Sequence, residues 1–239
     1  MSQQRRKTWQ VWLLVVLVAC LVAIWTQRTR ITDWFRLLNY QAPTEIVSLA
    51  NNDGMTNLAV HDLYINHPQL STNRTDFSKH CPSGTEQTIV LGCYHSNQAG
   101  VFLLQETDPL LNGVEQVTAA HEMLHAAYDR LSIKDRNYVD GLLLAYYDAG
   151  LNNPRVQGEI NAYKKSEPND VVNEMHSVFG TEIANLPSSL EAYFRRYFIN
   201  REKIVNYANQ YQAEFTSRED QVTEDDTQLA QLRGQISTL

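Results

Sequence analysis

Residues 113–131 read GVEQVTAAHEMLHAAYDRL, and the spacing within this stretch governs how the rest of the chain is interpreted. Val114, Val117, His121, Leu124, Tyr128 and Leu131 recur at intervals of three and four, which predicts a helix over about 113–131 with one face turned inward. His121 and His125 are one turn apart on that helix, so their imidazoles point the same way and can share one cation. Glu122 stands beside them, where a general base for a metal-activated water belongs. With 7 His and 14 Glu in 239 residues, residue usage alone would produce such a His-Glu-x-x-His pattern on the order of 0.01 times. Burying two unpaired imidazoles would cost roughly 1–3 kcal/mol each, whereas a metal with acceptors behind the rings satisfies all four ring nitrogens.

On the N-terminal side of this helix, Thr88-Ile89-Val90-Leu91 and Val101-Phe102-Leu103-Leu104 are short runs of β-formers separated by Gly92, Asn97 and Gly100, and they predict a hairpin. Further upstream, helices are predicted from Thr44 through Ala50 and from Met55 to Ile65, with a loop over 70–84. Downstream, helices are predicted over 134–149, around 152–165, over 170–183 and from Ser188 onward. The last of these keeps a 4-3 spacing through Ile204, Ala208, Tyr211, Phe215, Arg218, Val222, Asp225, Leu229, Leu232 and Ile236. That stripe suits packing on the domain or self-association as a coiled coil. His61, His67, His80 and His95 fall at no ligand spacing and read as ordinary loop or surface residues.

Residues 8–27 carry no charge, and a helix of that length, at about 1.5 Å per residue, spans the roughly 30 Å hydrocarbon core of a bilayer. Trp9, Trp12 and Trp25 lie near its ends, Arg5, Arg6 and Lys7 precede it, and Arg28, Arg30 and Arg36 follow. The expected organisation is a cytoplasmic tail (1–7), a transmembrane signal anchor (8–27), an amphipathic juxtamembrane linker with Ile31, Trp34, Phe35, Leu37 and Leu38 (28–43), a catalytic domain (44–198) and a C-terminal helical extension (199–239). Alternatively, Leu17-Val18-Ala19-Cys20 resembles a bacterial lipobox, which would make Cys20 a lipid attachment site. Both versions export the remainder. Cys81 and Cys93, the two cysteines beyond the apolar segment, are then expected to pair, closing a short loop for roughly 3 kcal/mol. A net charge of -7 with no basic stripe argues against nucleic acid as a partner.

With the His-Glu-x-x-His helix preceded by a strand pair and followed by further helices, residues 85–185 resemble the zincin metallopeptidases, bacterial-type and membrane-anchored here. The resemblance implies an α+β, mostly helical, zincin-like domain with a small sheet before the motif helix, flanked by an N-terminal transmembrane helix and a long C-terminal helix. It also implies that the strand before the motif helix, here Val101 to Glu106, binds an extended protein or peptide substrate. A catalytic zinc takes three protein ligands and keeps one open position. In the gluzincin branch the third ligand is a glutamate on a later helix, often preceded by asparagine, and Asn173-Glu174 matches that pair. His176 and Glu182 are alternatives, but His176 lies about 200° around a helix from Glu174, so both cannot face one metal. The metzincin spacing is absent, because Asp129 and Leu131 stand where glycine and histidine would be, and Val178 stands where gluzincins carry an orienting aspartate.

The expected metal set is therefore His121, His125 and Glu174 around Zn2+, with Glu122 as general base and His176 or Tyr163 as donor to the developing oxyanion. The expected product is peptide-bond hydrolysis at a cell membrane, on its extracytoplasmic side. Two other readings lead elsewhere: a zinc-binding but inactive membrane-tethered scaffold, and an adaptor whose histidines merely fill a core.

Overall fold

Helix packing around residues 114–129 organises the molecule. The structure, a computed structural model, describes residues 2–82, 91–96 and 99–237. It is mostly helical, with one three-stranded sheet, and divides into two units, Met1–Gln41 and Ala42–Leu239.

In the first unit, α1 (Ser2–Thr26) is followed after Gln27 by α2 (Arg28–Leu37). Among the described residues no single helix is long and apolar enough to cross a membrane. Trp12–Thr26 and Arg28–Leu37, bent by 62°, meet the length and composition test only as a pair. Ile31, Trp34, Phe35 and Leu38 are exposed at i, i+3, i+4 and i+7, an amphipathic spacing.

The second unit begins with α3 (Thr44–Asn52) and α4 (Asn57–Tyr64), the latter capped by the Thr56 hydroxyl accepting from the Ala59 amide. A strand, β1 (Gln69–Ser71), and a helix, α5 (Arg74–His80), then occupy the stretch that composition marks as loop. Asn73 starts α5 by accepting from the amides of Thr75 and Asp76, and Phe77 is the one side chain of α5 that is buried. The hairpin forms between β2 (Gly92–His95) and β3 (Gly100–Leu104). Its first strand thus lies later in the chain than Thr88-Ile89-Val90-Leu91, of which residues 88–90 fall outside the described residues. Gly92, expected as a turn residue, opens the strand instead.

The sheet order is β1-β3-β2, with β1 parallel and β2 antiparallel to β3. Side chains of β3 alternate between two apolar environments, as a strand's period of two requires. Val101 and Leu103 join the main core, while Phe102 and Leu104 join a smaller cluster with Phe77 and Cys81. Every residue of β3 is buried, because the strand is covered on both faces and paired on both edges.

After a 3-10 turn (Pro109–Leu111) come α6 (Val114–Asp129), α7 (Ile133–Asp148), α8 (Pro154–Ser166), α9 (Val171–Glu182), α10 (Ser188–Phe194) and α11 (Glu202–Ile236). The helix expected from Ser188 onward is split. Between α10 and α11 the chain turns back and bonds to the α3–α4 connection, with Thr56 N–H donating to Tyr197 O and Ile199 N–H to Gly54 O. This brings Tyr197 and Phe198 into the core. The first turns of α11 pack there through Ile204, Val205, Ala208 and Tyr211, whereas Val222, Leu229, Leu232 and Ile236 are exposed.

The closest helix contact is that of α6 with α9, through Ala120, Met123, Leu124 and Ala127 on one side and Met175, Val178 and Phe179 on the other. Gly180 permits it. A β-carbon there would stand 2.5 Å from Leu124 Cδ1 and 2.7 Å from Phe194 Cε1, well inside van der Waals contact.

Candidate metal centre

Because α6 and α9 touch at this depth, the histidine face of one meets the acidic face of the other. His121 Nε2 and His125 Nε2 converge to 2.9 Å, as the one-turn spacing requires. Glu174, from the first turn of α9, sends Oε1 to 3.5 Å from His125 Nε2 and Oε2 to 3.7 Å from His121 Nε2. A tetrahedral zinc with ligand bonds of about 2.0–2.2 Å separates its ligand atoms by about 3.3 Å, and the three observed separations bracket that value. Glu174 Oε2 is buried without a hydrogen-bond partner, a costly state for a carboxylate oxygen unless a cation occupies the space before it. The three residues fit a divalent metal by donor type, by geometry and by the acceptor left unsatisfied.

Electrostatics agrees with that fit. Burial disfavours the charged form of His121, but the adjacent Glu174 carboxylate and the charges of Glu122 and Glu182 outweigh it and push the imidazole up to about 9. Glu174 is the converse case. Burial raises its carboxyl, yet the adjacent His125 and His121, with a hydrogen bond from the Tyr163 hydroxyl, hold it below the usual carboxylate range. The pocket is built to hold a negative carboxylate against positive charge.

Glu122, one residue on from His121, is turned about 100° around α6 and faces the sheet rather than α9. Its carboxylate accepts from the backbone N–H of Tyr94 in β2, and burial pushes its carboxyl up against the lowering charges of His121 and His125. Leu104 N–H donates to Leu91 O, so by antiparallel alternation the N–H and C=O groups of Gly92 and Tyr94 point away from β3. That outer edge of β2 meets Glu122. A β-carbon on Gly92 would lie 2.5 Å from Thr118 Cγ2 and 2.8 Å from Glu122 Oε1, so only glycine lets the strand come this near.

The remaining sequence-predicted residues divide clearly. Tyr163 reaches the site, but as the hydroxyl donor to Glu174. His176 does not reach it. On α9 it faces away from Glu174, is wholly buried among Tyr128, Tyr193, Phe194 and Tyr197, and bonds Tyr193 Oη through Nε2 at 2.9 Å. Burial pushes its imidazole down to about 3, so it is a neutral core residue rather than an oxyanion donor. Glu182 is bound to Arg155, 2.5 Å from its Nη2, and Arg155 also holds Glu159 at 2.9 Å. Burial and Glu182 push the Glu159 carboxyl up to about 7. The strand Val101 to Glu106 cannot take an extended substrate along its edge, because β1 and β2 occupy both edges of β3. The strand that borders the metal centre is β2.

Sequence reasoning missed Gly92 and Tyr94, which act through backbone, and Asp170, whose carboxylate lies with Glu167 and Glu174 in a second acidic group and accepts from Asn173 Nδ2. Only a glycine opening a strand next to the motif helix could have signalled the close approach. No model of a known protein family, no curated protein and no solved structure matches this chain.

Proposed function

We propose that the chain is a membrane-tethered zinc metallopeptidase that hydrolyses protein or peptide substrates, with Glu122 as the general base. The observation that carries this reading is the convergence of His121, His125 and Glu174, whose ligand atoms all lie within 4.8 Å of one another, beside a buried glutamate on the same helix. Two imidazoles and one carboxylate suit zinc, and a set of three leaves a position open for chemistry. When bound, zinc supplies a Lewis acid that polarises a peptide carbonyl and makes water nucleophilic near neutral pH.

The chain's own residues do the rest. Glu122, with its carboxyl raised by burial, takes the proton of the attacking water and returns it to the departing amine. Tyr94 N–H fixes that carboxylate, and the Tyr163 hydroxyl fixes Glu174. A substrate strand would lie along the outer edge of β2, where Gly92 and Tyr94 turn their backbone groups. The uncharged run over 8–27 supports a membrane tether, and the exposed apolar stripe of α2 with Arg28, Arg30 and Arg36 supports a helix lying at the lipid interface. The disulfide between Cys81 and Cys93 fits an extracytoplasmic location.

The test uses the full chain in detergent micelles, loaded with zinc, on an unfolded protein substrate. Glu122→Gln is expected to lower turnover by about 10²–10⁴-fold, the usual weight of a general base, with zinc content unchanged. Equal and negligible cleavage by both proteins, each holding zinc, would replace the peptidase by an inactive zinc-binding scaffold.

A further inference from the structure

Strand β2 is only four residues long, and among the described residues β3 alone pairs with it. Nevertheless it carries both backbone contacts to Glu122, the close approach of Gly92 and the N–H of Tyr94. A short edge strand is not stiff by itself, and Cys93 lies between those two residues. With the period of two, Cys93 points to the opposite face, away from α6, where it packs with Phe77, Cys81, Phe102 and Leu104. There it is disulfide-bonded to Cys81, the buried residue that ends α5, across a Cα–Cα distance of 5.8 Å. A second tie runs beside the first. His95 Nε2 donates to His80 O at 2.8 Å, and the His80 ring stacks on Phe102 with centroids 4.1 Å apart. The strand is thus held between the motif helix on one face and α5 on the other.

We propose that the Cys81–Cys93 disulfide is a positioning element of the catalytic site: it pins β2 against α6 so that Tyr94 N–H reaches the Glu122 carboxylate, and its reduction releases Glu122 while leaving the metal cage intact. The cage stays because its ligands come from α6 and α9, whose apolar contact belongs to the main core, whereas the two cysteines pack in the smaller cluster with Phe77, Phe102 and Leu104. The inference rests on Glu122 being the general base, but its geometric part does not. Misplacing a reacting group by about 1 Å can cost on the order of 10²-fold in rate, so a loosened strand is felt in turnover.

The test compares the full zinc-loaded chain in detergent micelles, oxidised, with the same chain treated with a water-soluble phosphine and with the variant Cys81→Ser/Cys93→Ser. The phosphine is oxidised to its oxide with oxygen from water as the disulfide becomes two thiols, and no added thiol competes for zinc. Hydrogen exchange at the Tyr94 amide is expected to be about tenfold faster or more without the bridge, with exchange at Leu124 in α6 and zinc content unchanged. kcat is expected to fall about tenfold or more with KM within about twofold, and reoxidation of the reduced wild type to restore both. Equal Tyr94 exchange in the oxidised and reduced chains would overturn the proposal, as would loss of zinc together with the bridge. Absence of hydrolysis by the oxidised chain would instead remove the peptidase reading, while the exchange comparison still decides whether the bridge holds Tyr94 to Glu122. If the variant does not fold, the reversible reduction of wild type decides alone.

Discussion

His121 and Glu122 are adjacent in the chain and opposite in behaviour, because α6 turns one toward Glu174 and the other toward β2. In the metal-free protein His121 is pushed up to about 9, above the ordinary imidazole value near 6.5, so it is protonated at neutral pH. A raised folded-state pKa contributes stability that is fully present below about 6.5 and is lost as pH rises through about 9. On the proposed function, zinc binding at His121 displaces that proton. Calorimetric titration of the metal-free chain at pH 7.5, repeated in buffers of different ionisation enthalpy, is expected to show release of about one proton per zinc, vanishing above about pH 9.5. No buffer dependence at pH 7.5 would mean that His121 is already neutral before the metal arrives. The Tyr163 hydroxyl tests the next layer: Tyr163→Phe removes the donor to Glu174 and is expected to weaken zinc about 10–100-fold in chelator competition. An unchanged affinity would show that the hydroxyl does not orient the ligand.

At the scale of elements, the site exists because α6 and α9 cross without side chains intervening at Gly180. Gly180→Ala forces a methyl group to within 2.5 Å of Leu124 Cδ1 and is expected to cost about 1–3 kcal/mol in denaturant unfolding. The same shift would separate Glu174 from the histidine pair, so zinc affinity is expected to fall with it. Stability lost without a change in zinc affinity would place the pivot of the two helices elsewhere. The far end of α9 is secured separately. Arg201, nearly buried, donates to the carbonyls of Phe179, Gly180, Ile183 and Ala184 and pairs with Glu191, satisfying acceptors that a helix C-terminus leaves open. Thus α9 is held at one end by a buried guanidinium, and at the other presents Glu174 to the histidine pair.

For the molecule as a whole, the two halves of α11 have different duties. Up to Tyr211 it is part of the core, and among the described residues Arg218 makes its last cross-element ion pair, to Asp108 at 3.8 Å. Beyond that point Val222, Leu229, Leu232 and Ile236 continue the same stripe in solvent. Helices in proteins draw most of their stability from packing an apolar face, and a face left in solvent fits the self-association that the heptad spacing anticipates. Deleting residues 219–239 is expected to leave the unfolding midpoint and zinc content unchanged and to lower the sedimenting mass to that of one chain. A lowered midpoint in an already monomeric protein would show instead that the segment braces the domain.

How much of this could be read in advance depended on the range of each signal. The helices from α6 to α9 follow from apolar spacing and caps within one or two residues, since a 3.6-residue period is local information. The histidine pair and Glu122 needed only one turn of one helix. Glu174 follows from a family pattern, and helix geometry separates it from His176 because both sit on α9, where geometry again is local. What could not be read were contacts between distant segments. Strand β1 has three residues and exists through its parallel pairing with β3, more than thirty positions later. The position of β2, the burial of β3 between two neighbours, and the backbone N–H that meets Glu122 arise only when sheet and helix pack together. The sequence by itself determined which helix can carry two metal ligands and a base. Tertiary structure decided which strand faces Glu122 and which tyrosine reaches Glu174, because backbone donors and close approaches at glycine leave no residue-type signature along the chain.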